Sequence, residues 1–356
     1  MKQAISMKAE SEPIRVKFGA GIRLTVANEV EWLGASRAMV LSTPEQSRMA
    51  MHIAERLGHL AAGVFTKAAM HTPVAVTEEA LLHLKVCKAN CLISIGGGST
   101  IGLGKAIAYR TGLPQIAVPT TYSGSEATPI LGQTNKGIKT TLSDPKILPD
   151  VILYDPELFT TLPTKMAISS GLNAMAHAAE ALYAQNRNSA SDAIAIEGLE
   201  AFVTSLPKVI AKPTDLMACE KTLHGAYACG SVLGKVGMGL HHKLCHTLGG
   251  SFNLPHADTH AILLPHVITY NARSAAAQLL PICEMLGGSN AGLALHSFSK
   301  LLGAPMALRD LGLKEEDLDR ATLLTTSQPY PNPHPITSSD IRALLGAAWE
   351  GNTPII

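Results

Sequence analysis

The stretch Cys91–Arg110, CLISIGGGSTIGLGKAIAYR, decides the architecture of the first half of the chain. Its opening run, CLISI, is short, apolar and β-branched, as a buried parallel strand should be. Three glycines follow, Gly96, Gly97 and Gly98, and then a helical stretch from Thr100 to about Tyr109. A strand, a glycine turn and a helix in that order offer a pyrophosphate free backbone N–H groups and the positive end of a helix dipole. Ser99 is placed to cap the helix. The turn follows a later strand rather than the first, so it is not G-x-G-x-x-G in its usual position. A glycine-rich turn with no ligand has the same sequence, and the motif alone leaves both readings open.

The flanking sequence repeats the alternation. Strands are predicted at 15–18, 37–42, 63–65 and 115–119, and helices at 25–33, 44–59 and 77–88. This pattern implies a mainly parallel sheet with right-handed crossovers. A second polar loop, PTTYSGSE (119–126), also follows a strand. Two such loops at successive strand ends mark a ligand crevice and favour a nucleotide site. The early strand that would carry an acidic reader of the adenosine ribose ends Leu41-Ser42-Thr43-Pro44, with no acid before Glu45. A carboxylate there would repel a 2′-phosphate, so NADH and NADPH both stay open.

After Asp155-Pro156 the pattern changes to alanine- and leucine-rich helical spacing. Helices are predicted at 164–184, 190–205, 215–248, 258–272, 274–286, 290–301 and 338–349. The reading is an α/β, Rossmann-like dinucleotide-binding domain over 1–160 and an all-α catalytic domain over 161–356. At 356 residues, two domains are the expectation. A net charge of +1 gives no pull toward nucleic acid or an anionic membrane, and 4% aromatics argue against base stacking. The six cysteines form no C-x-x-C pair and read as reduced. With neither a signal peptide nor an 18-residue apolar run, a cytoplasmic protein is expected.

Histidines concentrate in the second half. Six of the fourteen fall between 241 and 266: His241, His242, His246, His256, His260 and His266. Even scatter would put about one in that window. His242 and His246 are i,i+4 on one helix face, and Gly249-Gly250 should stop that helix. Asn173, His177 and Glu180 share a face of an earlier helix. Any one of these histidines reads best as a core residue, but the cluster reads as a site. Two helices with inward polar groups can build a metal site from His177, His242 and His256. The fourth position would be Asn173, whose neutral amide is a poor ligand for a transition metal.

Taken together, SIGGGSTIGLGKAIA (94–108), AVPTTYSGSEATPILG (117–132), SGLNAMAHAAEALYA (170–184) and GLHHKLCHTLGGSFNLPHADTHAILLPHVITYN (239–271) resemble the iron-containing alcohol dehydrogenase superfamily, and within it the maleylacetate-reducing branch. FGAG (18–21), RAMVLSTPEQ (37–46), LPDVILYDPEL (148–158) and ITSSDIRALLGAAWEGNTP (336–354) extend the match over nearly the whole chain. The resemblance implies the fold shared with dehydroquinate synthase, with the active site between the two domains. It implies a dinucleotide held by Gly97, Gly98, Ser99, Thr120, Thr121 and Ser125, with Lys139 near the nicotinamide ribose. His177, His242 and His256 match metal ligands of the dehydrogenases, and His246 a histidine near their substrate. The fourth ligand, an Asp in the metal-dependent members, is Asn173 here. The acid of their GGGS-x-x-D-x-x-K motif is Gly102, although Lys105 is kept.

The implied reaction is NAD(P)H-dependent reduction of the C=C bond of 2-maleylacetate, a small dicarboxylate, to 3-oxoadipate in aromatic-compound degradation, with no catalytic metal. Protonated His177, His242, His246 or His256, or Lys243, would then act on the substrate's oxygen and carboxylates. The alternatives are a metal (Fe or Zn)-dependent alcohol or glycerol dehydrogenase of the same fold and a non-catalytic nucleotide sensor. A homodimer is the default expectation.

Overall fold

The computed structural model describes residues 14–135 and 138–355, the side chains at 138 and 139 excepted. Up to Tyr154, strands and helices alternate. The order is β1 (Arg15–Phe18), α1 (Val26–Trp32), β2 (Ala38–Leu41), α2 (Ser47–Leu57), β3 (Ala61–Phe65), α3 (Val74–Cys87), β4 (Cys91–Gly96), α4 (Gly98–Thr111) and β5 (Gln115–Pro119). Next come a hairpin, β6 (Ile130–Asn135) with β7 (Ile138–Ser143), and then β8 (Val151–Tyr154). The main sheet runs β1-β8-β5-β4-β2-β3, with every pairing parallel. Strands β2, β4, β5 and β8 are buried along their whole length, because helices cover both faces of the sheet.

Helices make up the rest: α5 (Thr164–Ala181), α6 (Ser189–Ala211), α7 (Leu216–Leu233), α8 (Leu240–Phe252), α9 (His256–Leu286), α10 (Ala291–Leu302), α11 (Leu318–Thr326) and α12 (Ser338–Glu350). This is the expected α/β sheet followed by a helical half. No helix of the described residues is long and apolar enough to cross a membrane.

Several boundaries differ from expectation. The helix predicted at 215–248 is two, because three glycines in GKVGMG (234–239) interrupt it. The two predicted at 258–272 and 274–286 are one helix, kinked at Ala275 with φ −128° and ψ 27°. Gly249-Gly250 does not stop α8. Buried contacts of Leu248 and Gly249 carry the helix to Phe252, and Asn253 ends it at φ 55°. The hairpin, β8 and α11 were not predicted as elements.

One polar knot ties the first turn of the chain to the point where sheet gives way to helices. Asp155 is fully buried just beyond β8. Its carboxylate accepts from the N–H groups of Gly21 (3.0 Å), Arg23 (3.2 Å) and Glu157 (3.1 Å), and from the Arg23 guanidinium at 2.6 Å. The FGAG turn is thus seated on the carboxylate that opens the next segment. Asp155→Ala would leave a part-buried cation and three backbone donors unpaired. The expected cost is about 3 kcal/mol, as for a broken buried pair. Thermal denaturation would report it as a fall in Tm of several degrees, and an unchanged Tm would mean the turn is held by other contacts.

Candidate active site

At the C-terminal edge of the parallel sheet, β4 runs straight into the glycine turn. Gly96 has φ +156°, and a Cβ on Gly97 would lie 2.9 Å from Thr121 Cγ2. Glycine is required because two strand-end loops pass this closely. Helix α4 starts at Gly98 with Gly97 as its N-cap and no side-chain cap. Ser99 therefore sits inside the first turn and does not cap it, contrary to expectation. The first N–H groups of α4 are left to an anionic ligand, the arrangement that suits a pyrophosphate.

The second loop is fixed from below. Lys105, seven residues into α4, is completely buried. Its ammonium donates to the carbonyls of Thr128 (2.7 Å), Ile130 (2.9 Å) and Ser125, and to Thr128 Oγ1 (3.1 Å). Burial pulls its pKa down to about 7, against the opposing pull of Glu126. Gln46 Nε2 donates to Thr120 Oγ1 at 2.8 Å, so the end of β2 also braces the loop. Gly102 stands where a side chain would run into Thr72 Oγ1, so an acid has no room there.

Across the cleft, α5 and α8 present the histidines. Glu180, three residues after His177 on α5, is 1% exposed. Its Oε1 accepts the backbone N–H of His241 at 2.9 Å, and its Oε2 contacts His242 Nδ1. His242 Nε2 and His177 Nδ1 are buried without a hydrogen-bond partner among the described residues. The ring of His242 lies 5.2 Å from that of His177 and 6.1 Å from that of His246, and the His256 ring packs at 4.2 Å from His260.

Burial sets the charge states. It holds His177 and His260 well below the usual imidazole range, with neighbouring histidines adding to the effect, and takes His241 to about 4. Glu180 keeps its charge despite its burial. Burial would raise its pKa, but His242, His241 and the Gly239 N–H together keep it below the usual carboxylate range. His177 is accordingly neutral near pH 7, contrary to the expectation of a protonated donor.

One cleft of about 1210 Å³ is lined by Gly97, Gly98, Ser99, Thr120, Thr121 and Ser125 on one side. His177, His242, His246, His256 and Asn173 line the other. All but two of the expected site residues therefore meet. The backbone of Lys139 lies in β7 opposite Thr134, but its side chain is outside the described residues. Lys243 is a correction. One residue on from His242, it is turned about 100° round α8, and its ammonium lies 5.8 Å from the Tyr330 ring centre, away from the residues lining the cleft. Lys165, exposed on the first turn of α5, is the one Lys or Arg lining the cleft among the described residues. The sequence reading gave no role to Glu180, Gln46 or His260. The signal for His260 was present, since it follows His256 at the same i,i+4 spacing that singled out His242 and His246.

Residues 13–156 match the family model for iron-containing alcohol dehydrogenase, and residues 167–349 match the Fe-containing alcohol dehydrogenase C-terminal model. The chain belongs to the iron-containing alcohol dehydrogenase family. It is 55% identical to the maleylacetate reductase of Rhizobium sp. strain MTP-10005 over 96% of this chain and 97% of that one. It is 48% identical to the maleylacetate reductase of Burkholderia cepacia over 96% and 97%. The crystal structure of the Rhizobium maleylacetate reductase superposes with a TM-score of 0.92 at 54% identity, covering 98% and 100% of the two chains. That of maleylacetate reductase from Agrobacterium tumefaciens gives 0.93 at 54%, covering 97% and 98%.

The family name implies iron, and the donor set here can be tested against it. Asn173 stands at the acidic ligand's position, with Nδ2 donating to Ser123 O at 3.4 Å and Oδ1 unpartnered. Ring nitrogens of His177, His242 and His260 come within 4.8 Å of one another, but His256 is outside that group. Imidazoles and an amide are all neutral, and Glu180 is already committed to two donors. Glu180 could reach a metal with His241 and His242 only by giving up those donors, so these residues do not fit an iron centre built on an acid at 173.

The second loop also leans on the helical half. Gly124, at φ +70°, and Gly230 of α7 touch backbone to backbone, and a Cβ on Gly230 would lie 2.9 Å from Gly124 Cα. Gly230→Ala should therefore push the loop out of place and raise the KM for reduced dinucleotide about tenfold, since ångström-scale misplacement costs one to two decades. Steady-state kinetics would check this, and an unchanged KM would separate the loop from dinucleotide binding.

Proposed function

We propose that the chain reduces the C=C bond of 2-maleylacetate to give 3-oxoadipate, using NADH or NADPH and no catalytic metal, in the degradation of aromatic compounds. The observation that carries this reading is the cleft itself. An uncapped glycine turn faces a histidine, His242, whose Nε2 has no partner, and a neutral Asn173 stands at the acidic ligand's position. The 55% identity to a maleylacetate reductase supports the choice of substrate.

The reduced dinucleotide supplies a hydride when bound. Gly97, Gly98 and Ser99 would hold its pyrophosphate at the start of α4. Thr120, Thr121 and Ser125 would hold the adjoining part, and Lys139 the nicotinamide ribose. In the substrate the C=C bond is conjugated to a ketone. Hydride arriving at the carbon β to the ketone drives the π electrons onto the ketone oxygen. The α-carbon then takes a proton, so one hydride and one proton add across the double bond.

The protein's part is to stabilise that oxygen and deliver that proton. His242 Nε2 and His246 are the groups for those tasks. His256 opens α9, whose first turn has no side-chain cap and whose residues Pro255, His256 and Ala257 line the cleft. That helix end favours an anion, a pull shared with Asp258 of the same turn, which accepts from the Ser169 hydroxyl. His177, held neutral, serves as a hydrogen-bonding wall rather than a charge. Six free cysteines, four of them buried, suit the cytoplasm.

Glu45 bears on the choice of dinucleotide. It lines the cleft just past β2, and its own backbone N–H and the Thr43 hydroxyl hold its carboxyl below the usual range. An ionised carboxylate there repels a 2′-phosphate, so NADH is the expected preference. Glu45→Gln should narrow the NADH-to-NADPH ratio of kcat/KM, and an unchanged ratio would remove Glu45 from the selection.

His242→Ala and His246→Ala should each lower kcat with 2-maleylacetate by about 100-fold or more, the usual weight of a general acid. Wild-type rates in both would sink the mechanism. Prolonged chelation should leave the rate unchanged, whereas activity lost to chelator and restored by Fe or Zn would favour a metal-dependent alcohol dehydrogenase instead.

A further inference from the structure

Glu180 is the buried carboxylate nearest the histidine cluster, and the mechanism above gives it no task. Its surroundings are specific. Oε1 takes the His241 backbone N–H at 2.9 Å, Oε2 takes His242 Nδ1, and the N–H of Gly239 and the phenols of Tyr183 and Tyr330 lie around it. No Lys or Arg forms an ion pair with it among the described residues. Two oxygens thus hold two consecutive residues of α8 in different ways, one by its backbone and one by its ring. Gripping the backbone fixes where the helix starts, and gripping the ring fixes which nitrogen is left over.

We propose that Glu180 is a positioning residue for the reaction, holding one proton of His242 on Nδ1 so that Nε2 is the atom that takes up a second proton from solvent and, as Nε2–H, donates it to the substrate. The argument rests on the geometry of one carboxylate with two donors. Ionised, it can only accept, so the nitrogen it touches must carry hydrogen whether the ring is neutral or charged. In neutral imidazole the hydrogen bond made by one nitrogen decides the state of the other. His242 Nε2, buried and without a partner, is the consequence. The position of Glu180 follows from α5, where it lies one helical turn beyond His177. One helix therefore supplies both His177 of the cleft wall and the anchor of His242 beside it.

A glutamine separates this role from simple packing. It has nearly the same shape but only one acceptor oxygen. If that oxygen keeps the His241 N–H, the amide –NH₂ faces Nδ1 and forces the ring proton onto Nε2. If it keeps the ring, the –NH₂ faces a backbone N–H. The inference rests on the reading that His242 works on the substrate, and the experiment distinguishes the two.

The kinetics of Glu180→Gln, His242→Ala and the double variant would be measured with 2-maleylacetate and NADH. The ¹⁵N shifts of the histidine rings would be recorded alongside. Glu180→Gln is expected to lower kcat by about 10- to 100-fold, the usual weight of an orienting partner, with the KM for NADH within about twofold of wild type. The same change should cost nothing further in the His242→Ala background, because there is no ring left to orient. A full additional loss in that background, or a wild-type rate in Glu180→Gln alone, overturns the proposal. Wild-type activity in His242→Ala overturns the functional reading and this proposal with it. If Glu180→Gln does not fold, the wild-type ¹⁵N spectrum still decides, since a neutral His242 with its proton on Nε2 contradicts the proposal.

Discussion

The Lys105 ammonium is the interaction on which the site depends. It lies in α4, the helix whose uncapped start faces the cleft, and it grips carbonyls of the segment 125–130 that carries the second loop. Because α4 begins at the end of β4 and the loop begins at the end of β5, this one buried cation sets the spacing between two strand ends. Its partners are three backbone carbonyls and the Thr128 hydroxyl rather than carboxylates, so it fixes the chain path mainly through the backbone. Glu126 lies close enough to offset part of the burial cost, and Tyr154 donates to Glu126 at 2.7 Å, which extends the grip to β8. From there Gly124 rests on Gly230, and the sheet's loop is joined to the helical half without an intervening side chain.

The opposite wall is organised by the reverse arrangement, a buried anion holding cluster members by N–H groups. Desolvation drives most of the packed histidines toward neutrality, as burial of several like-charged groups must. Glu180 supplies the one compensating charge and contacts His242 directly. His177, His241 and His260 are held neutral, and His177 lines the cleft beside His242, His246 and His256. A cleft of this kind can meet a dicarboxylate with hydrogen bonds and helix ends, with little need for fixed cations. That is consistent with a single Lys, Lys165, at its edge among the described residues.

How much of this was legible depends on the kind of signal. The buried strands Ala38–Leu41, Cys91–Gly96 and Gln115–Pro119 declare themselves by apolar runs, and the glycine turn by composition. The hairpin Ile130–Ser143 does not, because its polar residues, QTN and KTT, lack the apolar alternation of a half-buried strand. Residues 215–248 read as one helix because apolar spacing continues through Leu233 and Leu240 across the glycines. Ser99 looks like a cap by residue type, yet the helix starts at Gly98, two residues earlier than a cap at Ser99 would place it, and its first N–H groups stay free of a side-chain cap among the described residues. The histidines were visible as a cluster, but their order in space was not. Sequence spacing groups His256 with His177 and His242, and in the fold His260, one turn further along α9, also comes within reach of those two rings.

The neutral Asn173 and the charged Glu180 are best understood together. They sit seven residues apart on one face of α5, two turns of the same helix, with His177 between them. An acid at both positions would put two carboxylates beside the same rings, and that charge suits a bound cation. With Asn at 173, the negative charge that α5 keeps lies behind His242, where it orients a ring and is screened from the cleft by it. The face of α5 turned to the substrate then presents an amide and an imidazole, and the carboxylate that lines this wall, Asp258 of α9, accepts from the Ser169 hydroxyl. A dianionic substrate can approach this wall, whereas a carboxylate at 173 would repel it at short range in a buried setting. The change at one position thus reverses the sign of the ligand the wall can accept, while the helix, the histidines and the anchor behind them stay where they are.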